Sequence, residues 1–155
     1  MSSRLVIVAV LVAVIVGGST ALAVAAINGT RGPDRIVGTA GADRINGRGG
    51  NDDLRGGASG DRLNGGPGND LLAGDAGNDV LVGGPGVDSL LGGAGSDRID
   101  ARGGSEDIVL GGDGRDTIRA ADGMRDQIAC GNSRDRVYAD PADRVARDCE
   151  VVARG

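Results

Sequence analysis

The sequence predicts an all-β chain in which short strands from successive repeats stack in parallel into two facing sheets. Three observations predict it. Acidic residues recur every nine places, an aliphatic residue stands two places after each, and the residues before each acid are rich in glycine. Across 65–91 the chain reads GGPGNDLLA, GDAGNDVLV and GGPGVDSLL, with Asp70, Asp79 and Asp88 sixth and Leu72, Leu81 and Leu90 eighth in their units. A fixed period is read before any secondary structure, because it decides the fold.

The first element in the chain is a leader. Met1–Arg4 is a short positive start, Leu5–Val16 is apolar, and Gly17-Gly18-Ser19-Thr20 leads into the small-residue stretch Ala21–Ala26. These are the three parts of a secretory signal peptide over 1–26, with cleavage fitting after Ala23, Ala25 or Ala26. The alternative is an uncleaved anchor, since Leu5 to Ile27 is about the length of a membrane-spanning helix. Either reading puts the repeats outside the cytoplasm, and the first leaves no membrane contact after cleavage.

The repeats follow, from 27 to 119. Counted outward from Asp70, acids fall in step at Asp34, Asp43, Asp52, Asp61, Asp79, Asp88, Asp97 and Glu106. Their aliphatic partners are Ile36, Ile45, Leu54, Leu63, Leu81, Leu90, Ile99 and Ile108. A one-residue insertion after Leu110 precedes Asp116 with Ile118, and further slippage precedes Asp126 with Ile128 and Asp135 with Val137. Within a unit, the leading glycines suit a tight turn at positive φ. The last three places suit a very short strand whose central residue faces away from its neighbours. A turn reverses the chain, so two units make one coil, and the eighth-place Ile and Leu side chains fill the gap between two sheets.

This arrangement sorts the acids into two rows. Asp34, Asp52, Asp70, Asp88 and Glu106 run along one edge, and Asp43, Asp61, Asp79, Asp97 and Asp116 along the other. Coils roughly 4.8 Å apart bring like charges together, which a divalent cation between turns would relieve. Calcium suits an irregular shell of six to eight carboxylate and carbonyl oxygens. With no histidine and two cysteines in the chain, zinc and copper are disfavoured. The expected metal ligands are Asp34, Asp43, Asp52, Asp61, Asp70, Asp79, Asp88, Asp97 and Asp116, binding several Ca2+ ions.

The last element, 120–155, keeps the pattern without most of the glycines and reads as a cap. Cys130 and Cys149 bracket its acidic units, and in an oxidising compartment an even pair predicts a disulfide. The bridge would hold the end of the stack, which has no next coil to pair with.

Composition limits the function. The 155 residues include 31 glycines, one aromatic residue (Tyr138), 17 arginines and no lysine, with a formal net charge of −5. Such a chain resembles a disordered one in composition, but a disordered chain does not hold aliphatics in step over a hundred residues. Interleaved arginines form no basic run, and with almost no aromatics nucleic-acid binding is disfavoured. With no histidine the serines lack a base, and recurring carboxylates do not resemble the single pair of a glycosidase. No catalytic residue and no enzyme are expected.

The units are similar to the hemolysin-type calcium-binding nonapeptide GGxGxDxUx, U being a large aliphatic, of the RTX family; Gly65–Ala73, Gly83–Leu91, Gly92–Asp100 and Gly111–Arg119 match in full. The resemblance implies a parallel, right-handed β-roll with calcium between turns on one edge, Asp70 pairing with Asp88 and Asp79 with Asp97. Departures at Ser59, Asp75 and Glu106 imply weaker sites there. The flanks of Cys130 and Cys149 resemble the ends of other secreted proteins of this type. A dozen inward aliphatics are too little to offset ordering so long a chain, so folding is expected to require calcium.

Two roles are compatible with these features. The first is a secreted structural calcium-binding protein of the cell envelope. The second is an adhesin or glycan-recognition module, whose outward Val37, Leu71, Leu91 and Val109 would form an apolar strip and whose Arg62 and Asn64 could contact polysaccharide. The sequence leaves the oligomeric state open.

Overall fold

The computed structural model describes Leu5–Val8 and residues 25–154, with side chains from 26 to 150. The remainder of the expected leader, 1–4 and 9–24, lies outside the described residues. Among the described residues the chain is all strand and turn. In order the strands are β1 (Leu5–Val8), β2 (Ala25–Asn28), β3 (Asp34–Val37), β4 (Asp43–Asn46), β5 (Asp53–Ala58), β6 (Arg62–Asn64), β7 (Leu71–Ala76) and β8 (Val80–Val82). There follow β9 (Ser89–Ala94), β10 (Arg98–Asp100), β11 (Ile108–Asp113), β12 (Thr117–Arg119), β13 (Gln127–Asn132), β14 (Arg136–Ala139), β15 (Arg144–Val145) and β16 (Val151–Arg154).

Odd-numbered strands form one eight-stranded sheet and even-numbered strands the other, each in sequence order. All pairing is parallel, so each coil contributes one strand to each sheet, the parallel β-roll that the nine-residue period predicts. Through the central coils Leu54 aligns with Leu72 and Leu63 with Leu81, eighteen residues apart. Parallel ladders continue past Arg119, where Ile118 aligns with Val137 and Ile128 with Val145.

The core is a double file of single side chains. Ile36, Leu54, Leu72 and Leu90 from one sheet meet Ile45, Leu63, Leu81 and Ile99 from the other, each 2 % exposed or less. In β8 the flanking Val80 and Val82 are only partly covered while Leu81 is buried, the alternation a pleated strand requires.

One stretch departs from the sequence expectation. The extra residue lies before β11, in the turn after Ala101, and not after Leu110. Asp107 and Val109 therefore take the inward places assigned to Glu106 and Ile108; Val109 is buried and Ile108 is 44 % exposed. The inter-coil ladder decides it: Val109 aligns with Leu90, nineteen residues back, and the Asp88 backbone N–H donates to Asp107 Oδ1 at 2.8 Å. Two adjacent acids followed by two adjacent aliphatics allow either frame, and only pairing with the preceding coil selects one. Val109 thus leaves the outward apolar strip, whose place is taken by Ile108 and Leu110.

At the other departures, Ser59 and Asp75 adopt φ of 73° and 71°, left-handed conformations that side-chain-bearing residues take at a cost. The disulfide is formed: Cys130 and Cys149 are bonded, with Cα atoms 5.1 Å apart. It ties the coil carrying Asp135 to the connection between β15 and β16.

Candidate metal centre

Each turn ends on the sixth-place aspartate, which folds back under its own turn. The carboxylates are enclosed: Asp52, Asp61, Asp70, Asp79, Asp88, Asp97 and Asp116 are all 3 % exposed or less. One oxygen of each is used by the fold. The Asp52 N–H donates to Asp70 Oδ1 at 2.8 Å, and the Asp70 N–H to Asp88 Oδ1 at 2.8 Å. On the opposite edge the Asp61 N–H donates to Asp79 Oδ1 and the Asp79 N–H to Asp97 Oδ1, at 2.7 and 2.8 Å. Each carboxylate so caps a backbone donor one coil earlier that the strand ladder does not reach.

All nine residues expected as ligands fall in these two files. Asp34, Asp52, Asp70 and Asp88 occupy one, and Asp43, Asp61, Asp79, Asp97 and Asp116 the other. Both files run further than expected, the first through Asp107, Asp126 and Asp143 and the second to Asp135. The signal was present for Asp143, followed two places later by Val145, but no glycines precede it to mark a turn.

The second oxygen, Oδ2, is the chemically open one. In Asp52, Asp61, Asp70, Asp79, Asp88, Asp97 and Asp116 it is buried and accepts no hydrogen bond, a costly state for a charged atom. A carbonyl of the next coil converges on the same space. A Cβ placed on Gly56 would stand 2.5 Å from Asp61 Oδ2 and 2.7 Å from the Gly74 oxygen; one on Gly111 would stand 2.7 Å from Asp116 Oδ2 and 2.5 Å from the Cys130 oxygen. Glycine at the head of the turn is thus required by space. Every one of the nine expected ligands has it, whereas Ala101, Ala120, Cys130 and Ala139 head the turns of Asp107, Asp126, Asp135 and Asp143.

Asp34 and Asp43 differ from the rest. Oδ2 of Asp34 accepts from the N–H and hydroxyl of Thr30 at 2.5 and 3.1 Å, and Oδ2 of Asp43 from those of Thr39 at 2.6 and 2.9 Å. In the first two turns a hydroxyl supplies what the later turns lack.

Enclosure raises the carboxyl pKa values. Desolvation is the main cause, opposed by the backbone hydrogen bond and reinforced by neighbouring carboxylates; it pushes Asp61, Asp70, Asp97 and Asp116 up to about 6 and Asp107 up to about 7. A file of acceptors without donors can be relieved by protons or by a cation. Oxygen-only surroundings, part carboxylate and part carbonyl, fit a hard divalent ion. Among the described residues no three His, Cys, Asp or Glu side chains converge on one point, so backbone carbonyls must complete the shell.

A family model described as the RTX calcium-binding nonapeptide repeat (4 copies) matches this chain at residues 28–63, 55–90, 74–105, 82–118 and 103–123. The chain belongs to the RTX calcium-binding nonapeptide repeat family. RTX repeats bind several calcium ions, and this is a calcium-binding repeat protein with the β-roll fold. No curated protein and no solved structure gives a significant match. In this RTX roll the bare Oδ2 atoms and the glycine-headed turns accord with the family's ligand: the carboxylate supplies charge and the adjacent carbonyls supply further oxygens.

Proposed function

We propose that Asp34, Asp43, Asp52, Asp61, Asp70, Asp79, Asp88, Asp97 and Asp116 hold calcium between successive turns, and that calcium drives a largely unfolded chain into the roll after export. The roll then serves as a structural element of the cell envelope. The observation that carries this reading is the two files of buried aspartates whose Oδ2 atoms, from Asp52 to Asp116, lie beside carbonyl oxygens without a donor. Metal-free, these files oppose folding; with calcium they join one coil to the next. The leader-like 1–26 and the Cys130–Cys149 bridge support an oxidising, extracytoplasmic location, where calcium reaches the 10⁻⁴–10⁻³ M range, on the order of the dissociation constants usual for extracellular modules.

A calcium titration followed by circular dichroism, repeated with magnesium, tests the proposal. A cooperative gain of β structure specific to calcium is expected. A chain fully folded in chelator would refute calcium-driven folding. N-terminal sequencing of exported protein would locate the cleavage, with a new terminus at residue 24, 26 or 27 expected. The second role, glycan recognition, is favoured by the distribution of arginine over the surface of the roll.

A further inference from the structure

Folding sorts the charges. The 13 aspartates of the two files are buried, which leaves nine acidic side chains on the surface of 26–150 against fifteen arginines, all exposed. An acidic composition thus folds into a roll whose surface is basic by six charges.

One group of arginines lies together near the C-terminal end of the sheet of even-numbered strands and in the turns beside it. Parallel pairing aligns Arg98, Thr117 and Arg136 across β10, β12 and β14, and Asp100, Arg119 and Tyr138 beside them. The same nineteen-residue step aligns Arg115 with Arg134 in the adjoining turns. Ser96, Arg98, Arg115, Thr117, Arg134 and Arg136 line one open groove of about 460 Å³. Arg134 pairs with Glu150 at 3.0 Å, while Arg98, Arg115 and Arg136 have no ion pair among the described residues. Like charges stacked on neighbouring strands destabilise a sheet, and the buried Asp116 and Asp135 under the groove form no ion pair with these arginines, their Oδ1 atoms being taken by backbone N–H groups of the aspartate file.

From this groove we infer a binding site for a linear anionic polysaccharide, one that carries a carboxylate or sulfate on alternate sugars. The inference rests on the folded roll but not on which aspartates hold calcium. Strands lie roughly 4.8 Å apart, close to the advance of one pyranose along an extended glycan. Arg98 and Arg136, two strands apart, therefore match acids on every second sugar, with the Thr117 hydroxyl between them for the neutral one. Guanidinium groups take carboxylate and sulfate in paired hydrogen bonds. Tyr138, the chain's one aromatic residue, lies two places beyond Arg136 on the same strand and is 37 % exposed, where its ring can stack on a sugar face. A lone aromatic is too little for a run of stacked bases, which favours glycan over single-stranded nucleic acid.

The test is equilibrium binding of the full chain, in calcium and about 0.15 M salt, to hyaluronate, heparin, neutral dextran and a single-stranded oligonucleotide. Binding to hyaluronate or heparin and not to dextran is expected; binding to hyaluronate, whose only acid is one carboxylate per two sugars, shows that carboxylate suffices, and binding to heparin alone shows that sulfate is needed. The double variant Arg98→Gln/Arg136→Gln should weaken it roughly tenfold or more; Arg115→Gln, in the adjoining turn, should weaken it less, and Arg31→Gln, at the far end of the roll, should leave it unchanged. Circular dichroism of each variant at the same calcium concentration separates loss of binding from loss of fold. The proposal is overturned by equal binding to dextran, by tighter binding to the oligonucleotide, by no binding to either acidic glycan, or by a folded double variant that binds as well as the parent. A chain that binds hyaluronate yet is already folded in chelator would refute calcium-driven folding and leave this site standing.

Discussion

The backbone N–H of Asp61 donates to Oδ1 of Asp79 at 2.7 Å, eighteen residues away in the next coil. The other oxygen of Asp79 is buried and accepts nothing. One side chain thus has a structural half and an open half, and the two can be separated experimentally.

Asp79→Asn keeps the Oδ1 acceptor and removes the charge. In calcium the variant should need roughly tenfold more metal for its folding midpoint, equivalent to about 1.4 kcal/mol, and should lose cooperativity, since each coil stabilises its neighbours. In chelator the sign reverses: an enclosed charge is gone, and the variant should hold more β structure than the parent. Calcium titrations by circular dichroism read both effects; an unchanged midpoint would remove Asp79 from the ligand set.

Acid should stabilise the metal-free roll. The folded pKa values near 6 for Asp61, Asp70, Asp97, Asp116 and Asp126, and near 7 for Asp107, exceed the unperturbed 3.8. The folded chain therefore binds protons more tightly than the unfolded one, and stability rises as pH falls from about 7 towards 4. Calcium affinity should fall over the same window, because protons compete for the same oxygens. Circular dichroism in chelator at pH 7.5 and pH 5 decides the sign: less β structure at pH 5 would contradict it.

Gly56→Ala puts a methyl group against Asp61 Oδ2 and the Gly74 carbonyl. A cost of about 1–3 kcal/mol and weakened calcium binding are expected. Gly49→Ala is the control, since its Cβ would meet nothing nearer than the Pro67 oxygen at 3.5 Å, and it should change stability by less than about 0.5 kcal/mol. Equal effects in thermal melts would show that the space beside the aspartate is not what selects glycine.

Reducing Cys130–Cys149 should lower stability by about 3 kcal/mol, as expected for a closed loop of this length. The loss should begin at the C-terminal coils, because β15 is only two residues long and β16 pairs with β14 alone. Hydrogen exchange with and without reductant would show protection disappearing from β15 and β16 before β7 to β9; uniform loss would argue against a local cap.

The sequence by itself determined the repeating unit, the inward file of Ile and Leu, the assignment of alternate aspartates to opposite edges, and the cysteine pair. These are properties of a local pattern: a turn of fixed length and a strand of alternating sides repeat the same geometry wherever the nine residues recur. Three matters were decided only by the folded structure, two of them by contacts between coils and one within a turn. The choice of Asp107 and Val109 over Glu106 and Ile108 came from hydrogen bonds to a coil nineteen residues earlier. The hydroxyls of Thr30 and Thr39 set Asp34 and Asp43 apart from the bare carboxylates that follow. The sorting of acids inward and arginines outward turned a net charge of −5 into a basic surface with Arg98, Arg115 and Arg136 in one groove. In the first and third cases the deciding neighbours lie about a full coil apart along the chain, and only stacking the coils brings them into contact; Thr30 and Thr39 stand four residues from their aspartates, and there the path of the turn itself aims the hydroxyl at Oδ2.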